Sequence, residues 1–486
     1  MRFHSMPGSR FALVAVLLLA VFTAAPLGAA NLADRPQVAD ALTVLDLWLD
    51  EQIAAGAAPG LSIAIVHDQE LVWSSGYGFA DLESRRPATA STLYRIGSVT
   101  KLFTATAVLQ LRDGGKLDLD DPVAKHLPEF RVRDPFPAST PITLRHLLTQ
   151  TSGLTRDAPF PYWTTHVFPS RDEVLASLAK LELTHRPGET YKYSNLGMAL
   201  LGLVVERRSG LAYADYMRQR IFEPLGMTSS TAAPSEEHHR RRATSYYRKA
   251  TDGTRRAFDY YDMEGLAAAG NVVSSVEDLA AFARLQFRDG AAGGAQILAG
   301  TTLREMQRPQ FVYPSFEGGR GLGFAVSRSD GVTFVAHGGW IGGNRTHLLL
   351  VPSEKIGVIV AANADDADPS AIARKAYDVM APAISAATAA PEPSRAADPA
   401  WQRYTGTYTD PWGWEYEVLV HDGQLAFYEH SYPPDDDPLD GITRLVPVSE
   451  HVFRMPDGEP VVFEIGAGGR VERVRRRFEY LTPVER

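Results

Sequence analysis

The sequence predicts an α+β protein, an antiparallel sheet flanked by helices with a large helical region, followed by a small C-terminal all-β barrel-like unit. Three observations carry that prediction. Strand-period runs stand at both ends of the first 380 or so residues, with helix-period sequence between them. Only turn residues separate the four runs GLGFAVS, VTFVAHG, THLLLVP and KIGVIVAAN, as in antiparallel strands. Beyond Trp401, alternating segments flank an Asp422–Gly423 hairpin turn.

The elements follow in chain order. Arg2 and Arg10 precede the apolar run Phe11–Phe22, and small residues Gly28 and Ala30 precede a cut site at Asn31. This pattern reads as a cleavable export signal over 1–30, placing the protein in the periplasm or outside the cell. Retention as a membrane anchor is the competing reading, but the run stops at 12 residues where a span needs about 20. A helical pattern from about Pro36 to Ala55 leads to strands at Leu61–Val66 and Leu71–Tyr77. Helices then dominate roughly 98–310, the clearest being Leu102–Leu111, Asn195–Arg208 and VEDLAAFARLQF. Ser274 or Ser275 caps the last of these, with Asp278 as a capping-box partner of Ser275. A helix near Pro369–Met380 closes a region spanning 31–385. The Ala- and Pro-rich stretch up to Ala400 reads as a linker, taken as 386–400, before a β unit at 401–486. In that unit Trp401, Tyr404, Trp412 and Trp414 are expected to fill a small core, the alternative being a substrate entrance.

Composition excludes several functions. A chain of 486 residues, 45% hydrophobic and 22% charged, has material for a large core and for more than one unit. Its net charge of -9 argues against a nucleic-acid partner, which needs a basic face. The absence of cysteine removes disulfides, thiolate nucleophiles and iron–sulfur clusters, and no pattern calls for a metal or cofactor.

Nucleophilic chemistry then falls to serine, threonine, lysine or a carboxylate. In YRIGSVTKLFTATAVLQL, Ser98 and Lys101 are three apart at the start of a helix, on one face. A serine needs a base to take its proton, and a lysine serves only when desolvation or a nearby cation lowers its pKa. S-x-x-K alone is common, and Ser177–Lys180 is a second match, set inside a helix with no turn before it. Tyr193 and Asn195 stand at a loop-to-helix junction in YKYSNLGMALLG, where a tyrosine can relay a proton and an amide can orient Lys101. His337, Gly338 and Gly339 lie near the end of a predicted strand, where glycines would let a substrate backbone approach. Singly, each also reads as core, cap or turn.

Their order resembles that of the penicillin-recognising serine hydrolases, in particular class C β-lactamases, D-stereospecific peptidases and related esterases. ITLRHLLTQTSGL, IFEPLGM, AAGNVVSSVEDLAAF and HGGWIGGNRTHLLLVPSEKIGVIVAAN are similar to family segments in family order, over roughly 40–380. The resemblance implies that Ser98 forms an acyl-enzyme and that Lys101 and Tyr193 act as a coupled base and acid. It also implies an oxyanion site between the backbone N–H groups of Ser98 and Trp340. Where many relatives carry Lys-Thr-Gly to hold a carboxylate, this chain has His337–Gly338–Gly339. The cation becomes a largely neutral imidazole and the hydroxyl is missing, unless Arg345 supplies charge. The expected substrates are therefore small esters or D-amino-acid amides and peptides, with weak β-lactam hydrolysis. A slowly acylating penicillin-binding receptor or scaffold is the alternative.

Overall fold

A computed structural model of the chain describes residues 31–136, 138–290, 292–389, 398–430, 437, 439–476 and 479–484. The expected export segment and residues 390–397 of the expected linker lie outside them. Among the described residues no helix is long and apolar enough to cross a membrane.

The two ends of the first region meet in one nine-stranded antiparallel sheet. Strands β1 (Gly60–His67) and β2 (Glu70–Asp81) come from the N-terminal end. Strands β3 (Ala325–Ser329), β4 (Val332–Ile341), β5 (Asn344–Val351) and β6 (Ile356–Ala362) come from the other. The order is β2-β1-β6-β5-β4-β3, with short strands at both edges, and Leu61 pairs with Ala362 at the seam. Both faces of β1 are covered, which explains why it reads as a nearly unbroken apolar run. Leu61, Ile63 and Ile65 face a core made with helices α1 (Pro36–Ala54) and α5 (Pro369–Thr388). Ala64 and Val66 face the helical region.

That region packs α4 (Val276–Leu285) on the sheet, with α2 (Thr100–Asp113) and α3 (Asn195–Ser209) packed on each other in the same core. Ser194 caps α3 by accepting from Gly197 N, and Gly210 ends it in the left-handed region at φ +77°. Ser275 caps α4 as expected, but Asp278 does not complete a capping box. Its carboxylate accepts instead from Ser229 N and Ser230 Oγ, because that packed loop offers it two donors. Helix α5 runs through Pro382 to Thr388, past Met380 and into the expected linker. Alanine is a strong helix former, and Ile384 with Ala383 and Ala387 packs against the β1 side of the sheet, so burial favours helix over linker.

The C-terminal unit is a second nine-stranded antiparallel sheet, curled into a nearly closed barrel. Among its strands are β7 (Gly406–Thr409), β8 (Glu415–His421) and β9 (Gln424–Glu429). Asp422 and Gly423, both at positive φ, make the β8–β9 turn. Tyr404, Tyr408, Phe427, Phe453 and Phe463 fill its core, with Trp401 packed against it. Trp412 and Trp414 do not belong there: they are 71% and 54% exposed. They sit on the β7–β8 turn, where Asp410 accepts from the N–H groups of both, and this local scaffold holds them outside the ladder.

The barrel docks on the outer side of α1, where Val44 and Leu47 meet Leu419, Ala426 and Tyr428. Asp422 N donates to Asp40 Oδ2 at 2.7 Å, Tyr428 donates to Glu51, and His430 also reaches Glu51. Burial pushes the Asp40 carboxyl up to about 6 against the backbone N–H groups that lower it. A carboxyl raised in the native state favours folding below its unfolded value of about 3.9 and loses that advantage as pH rises through about 6. In thermal melts, the Tm of Asp40→Asn relative to wild type should therefore rise between pH 4 and pH 7. A flat difference would show that Asp40 is not desolvated by docking.

Candidate active site

The site forms where the N-terminus of α2 meets the end of β4. Gly97 adopts φ +51°, and an added methyl there would stand 2.8 Å from Trp340 N. A methyl on Gly339 would stand 2.0 Å from Ile96 O. These two glycines let two backbones touch and bring the amides of Ser98 and Trp340 to one place. Gly339 is thus required by the protein's own packing rather than by a substrate. Gly338 differs: it is exposed, lines the cleft, and a side chain there would find its nearest neighbour, His347 Nδ1, 3.5 Å away.

Ser98 Oγ accepts a 2.6 Å hydrogen bond from the Tyr193 hydroxyl and lies 3.0 Å from Lys101 Nζ. Lys101 is 1% exposed, and its amine also donates to Asn195 Oδ1 at 2.9 Å and to Ala269 O at 2.7 Å. Asn195 Nδ2 donates to Asp157 Oδ1 at 2.8 Å, which turns the amide oxygen toward the lysine. Tyr162 donates to the same carboxylate oxygen and steadies it.

The electrostatics act on this geometry. Desolvation pulls Lys101 well below the usual lysine range, Asp157 opposes it, and Arg156 and Arg320 add to it. The buried position wins over the one carboxylate. A neutral amine has two N–H groups, and the carbonyls of Asn195 and Ala269 accept both. The remaining lone pair then faces Ser98 and can take its proton. Burial raises Tyr193 while its contact with Ser98 lowers it, so the tyrosine stays protonated at neutral pH. His337 is pushed down to about 3 by burial, then by Arg320 and Lys101, and is neutral; its Nδ1 hydrogen bonds Gly338 O.

The structure thus gathers Ser98, Lys101, Tyr193, Asn195, His337, Gly338, Gly339 and Trp340 about one open cleft of about 790 Å³. Ser98 is half-buried; the decoy Ser177 is 3% exposed and donates to Val174 O. Arg345 lines the cleft and donates to Asp365 O. Three further residues come from segments that carry no motif. Asp157 fixes Asn195, Arg320 puts a buried cation in the cleft wall, and Asp365 accepts from Trp340 Nε1 and Gly343 N. Arg320 lies in GGRGLGF, which reads from sequence only as a glycine-rich strand start. The cleft lining ends at Ser370, and among the described residues none of the barrel's belongs to it. Among the described residues no three His, Asp or Glu side chains converge as a metal site would require.

A model of the Beta-lactamase family matches residues 45–381. The chain belongs to the β-lactamase family. Among curated relatives, Protein flp of Staphylococcus aureus (strain MW2) is 27% identical over 332 residues, which are 67% of this chain and 63% of that protein. The match therefore spans less than two thirds of that relative's length. Among solved structures, an octameric penicillin-binding protein homologue from Pyrococcus abyssi matches with TM-score 0.61 and 26% identity, covering 91% of this chain and 99% of that one. So large a share of this chain extends the likeness into the C-terminal barrel. A D-stereospecific amidohydrolase from Streptomyces sp. matches with TM-score 0.57 and 26% identity, over 69% of this chain and 97% of the other.

Proposed function

We propose that the protein is an exported serine hydrolase that passes through a Ser98 acyl-enzyme, acting on esters or on D-amino-acid amides and peptides and only slowly on β-lactams. One observation carries the reading: a half-exposed Ser98 Oγ stands between Tyr193 and a buried lysine whose N–H groups are already engaged. Ser98 Oγ bonds to the substrate carbonyl carbon as its proton passes to Lys101. The carbonyl oxygen takes up the negative charge between the N–H groups of Ser98 and Trp340, a donor of this kind being worth about 3 kcal/mol. The C–O or C–N bond then breaks as the Lys101–Tyr193 pair returns a proton to the leaving group. Water repeats the sequence on the acyl-enzyme and frees Ser98. Export rests on the pattern of residues 2–30. The D-configured amide class draws support from the likeness to the Streptomyces amidohydrolase.

The substrate preference rests on His337 and Gly338. A neutral imidazole and a missing hydroxyl leave a β-lactam carboxylate without the partners that Lys-Thr-Gly gives it. A short-chain nitrophenyl ester, D-alanyl anilide and a chromogenic cephalosporin separate the classes. The first two should turn over and the cephalosporin should lag. Gly338→Thr restores a hydroxyl where a side chain has room. It should raise kcat/KM for the cephalosporin about 10-fold, one charge-assisted hydrogen bond at about 1.5 kcal/mol. A wild type that acylates once with every substrate and stops would make it a receptor, and an unchanged cephalosporin rate in Gly338→Thr would remove the role given to Gly338.

A further inference from the structure

Trp340 holds more than a backbone amide in the cleft. The residue is 42% exposed and lines the cleft beside the oxyanion position. The ring is not free to swing. Nε1 donates to Asp365 at 2.7 Å, and the ring meets Trp163 with centroids 5.9 Å apart and planes at 36°. Trp163 in turn rests edge-on against Phe168 at 5.4 Å and beside Tyr162 at 5.5 Å. Phe168 stacks on Tyr261 at 5.1 Å, and Tyr261 stacks on His166 at 4.9 Å. Tyr162 and Phe168 are buried, and Trp163 is half-buried. The result is an aromatic stack anchored in the core, with Trp340 as its member in the cleft lining.

A ring held in this way is costly to leave in water and needs no ordering when a ligand covers it, so an apolar group gains there with little entropic loss. Aromatic rings take one another in offset or edge-on contact, which favours an aromatic ring over an aliphatic chain. We infer that the site selects acyl groups ending in a bulky apolar, preferably aromatic, side group, seated against Trp340, whose ring Trp163 holds in place. The inference rests on the serine-hydrolase reading and adds its acyl specificity. Trp163 is a positioning residue: it stands one ring behind Trp340 and makes no hydrogen bond or ring contact with Ser98, Lys101 or Tyr193.

The test compares nitrophenyl acetate with nitrophenyl phenylacetate, which share a leaving group and differ in the acyl side. One methylene in an apolar pocket discriminates by about 10- to 200-fold. Wild type should therefore prefer the phenylacetyl ester by at least about 10-fold in kcat/KM after correction for intrinsic reactivity. In Trp163→Ala that ratio should fall at least about 5-fold, mainly through KM, and Trp163→Phe should recover most of it. A wild-type ratio near one overturns the inference without any variant, so a misfolded Trp163→Ala leaves it falsifiable. A ratio unchanged in a folded Trp163→Ala overturns it as well. Absence of Ser98-dependent turnover with both esters would instead sink the hydrolase reading, and this inference with it.

Discussion

Ser98→Ala should lower ester turnover by at least about 10⁴-fold while the protein stays folded. The methyl cannot bond to a carbonyl carbon, so Lys101 and Tyr193 are left with no nucleophile to serve. What survives is the oxyanion site and binding, which alone sustain about 10³–10⁴-fold over water in serine hydrolases. The stability cost is small, about 1 kcal/mol, because Ser98 is only half-buried and water can replace Oγ for its two partners. A phosphonate that labels serine hydrolases should add once to wild type, at Ser98, and not to the variant. The second S-x-x-K pair supplies the control. Ser177 Oγ is buried and donates to Val174 O, so Ser177→Ala should keep full turnover. Loss of activity in Ser177→Ala, or its survival in Ser98→Ala, would overturn the assignment.

The contrast between those serines shows which parts of the site the sequence could carry. Ser98 and Lys101 share one turn of α2, so their approach is a local fact of helix geometry. Tyr193 and Asn195 became legible through their order along the chain. Asp157, Arg320 and Asp365 did not, because each reaches the cleft by tertiary folding and stands in a segment of ordinary loop or strand composition. Arg320 is the clearest case: nothing in GGRGLGF distinguishes a cleft-lining arginine from one in solvent, yet it is 6% exposed beside Tyr191. Competition among local partners explains other differences. Asp278 was a plausible capping partner by spacing, but buried Ser230 and its neighbour Ser229 outbid the helix terminus. The alanines after Met380 fitted a linker by composition, while packing against the sheet made them helix. The antiparallel sheet was readable from the strand-period runs at both ends of the first region, whereas its order, with β1 paired to β6 between two helical layers, is set by tertiary packing.

Lys101→Met should remove activity to the same depth as Ser98→Ala, about 10⁴-fold or more, and change stability with a sign that reports the lysine's charge state. Burial holds the native amine well below the usual range, whereas in the unfolded chain it titrates near its ordinary value of about 10.4. Between those two values the unfolded state binds a proton that the native state does not. Wild-type stability therefore falls as pH falls from about 10 toward the native value, by up to about 1.4 kcal/mol per pH unit for one proton. Methionine does not titrate, so the stability of Lys101→Met relative to wild type should climb over the same window as pH is lowered. Urea unfolding of both proteins at pH 7.5, 8.5 and 9.5 reads this directly, with other groups cancelling in the difference. The unmet carbonyls of Asn195 and Ala269 shift the whole curve against methionine without altering its slope. The same proton governs catalysis: kcat/KM of wild type should fall on the acid side, as protonated Lys101 loses the lone pair that faces Ser98. A flat stability difference across this range would mean that the lysine is charged in the native state, and the proton path from Ser98 would then have to run through Tyr193.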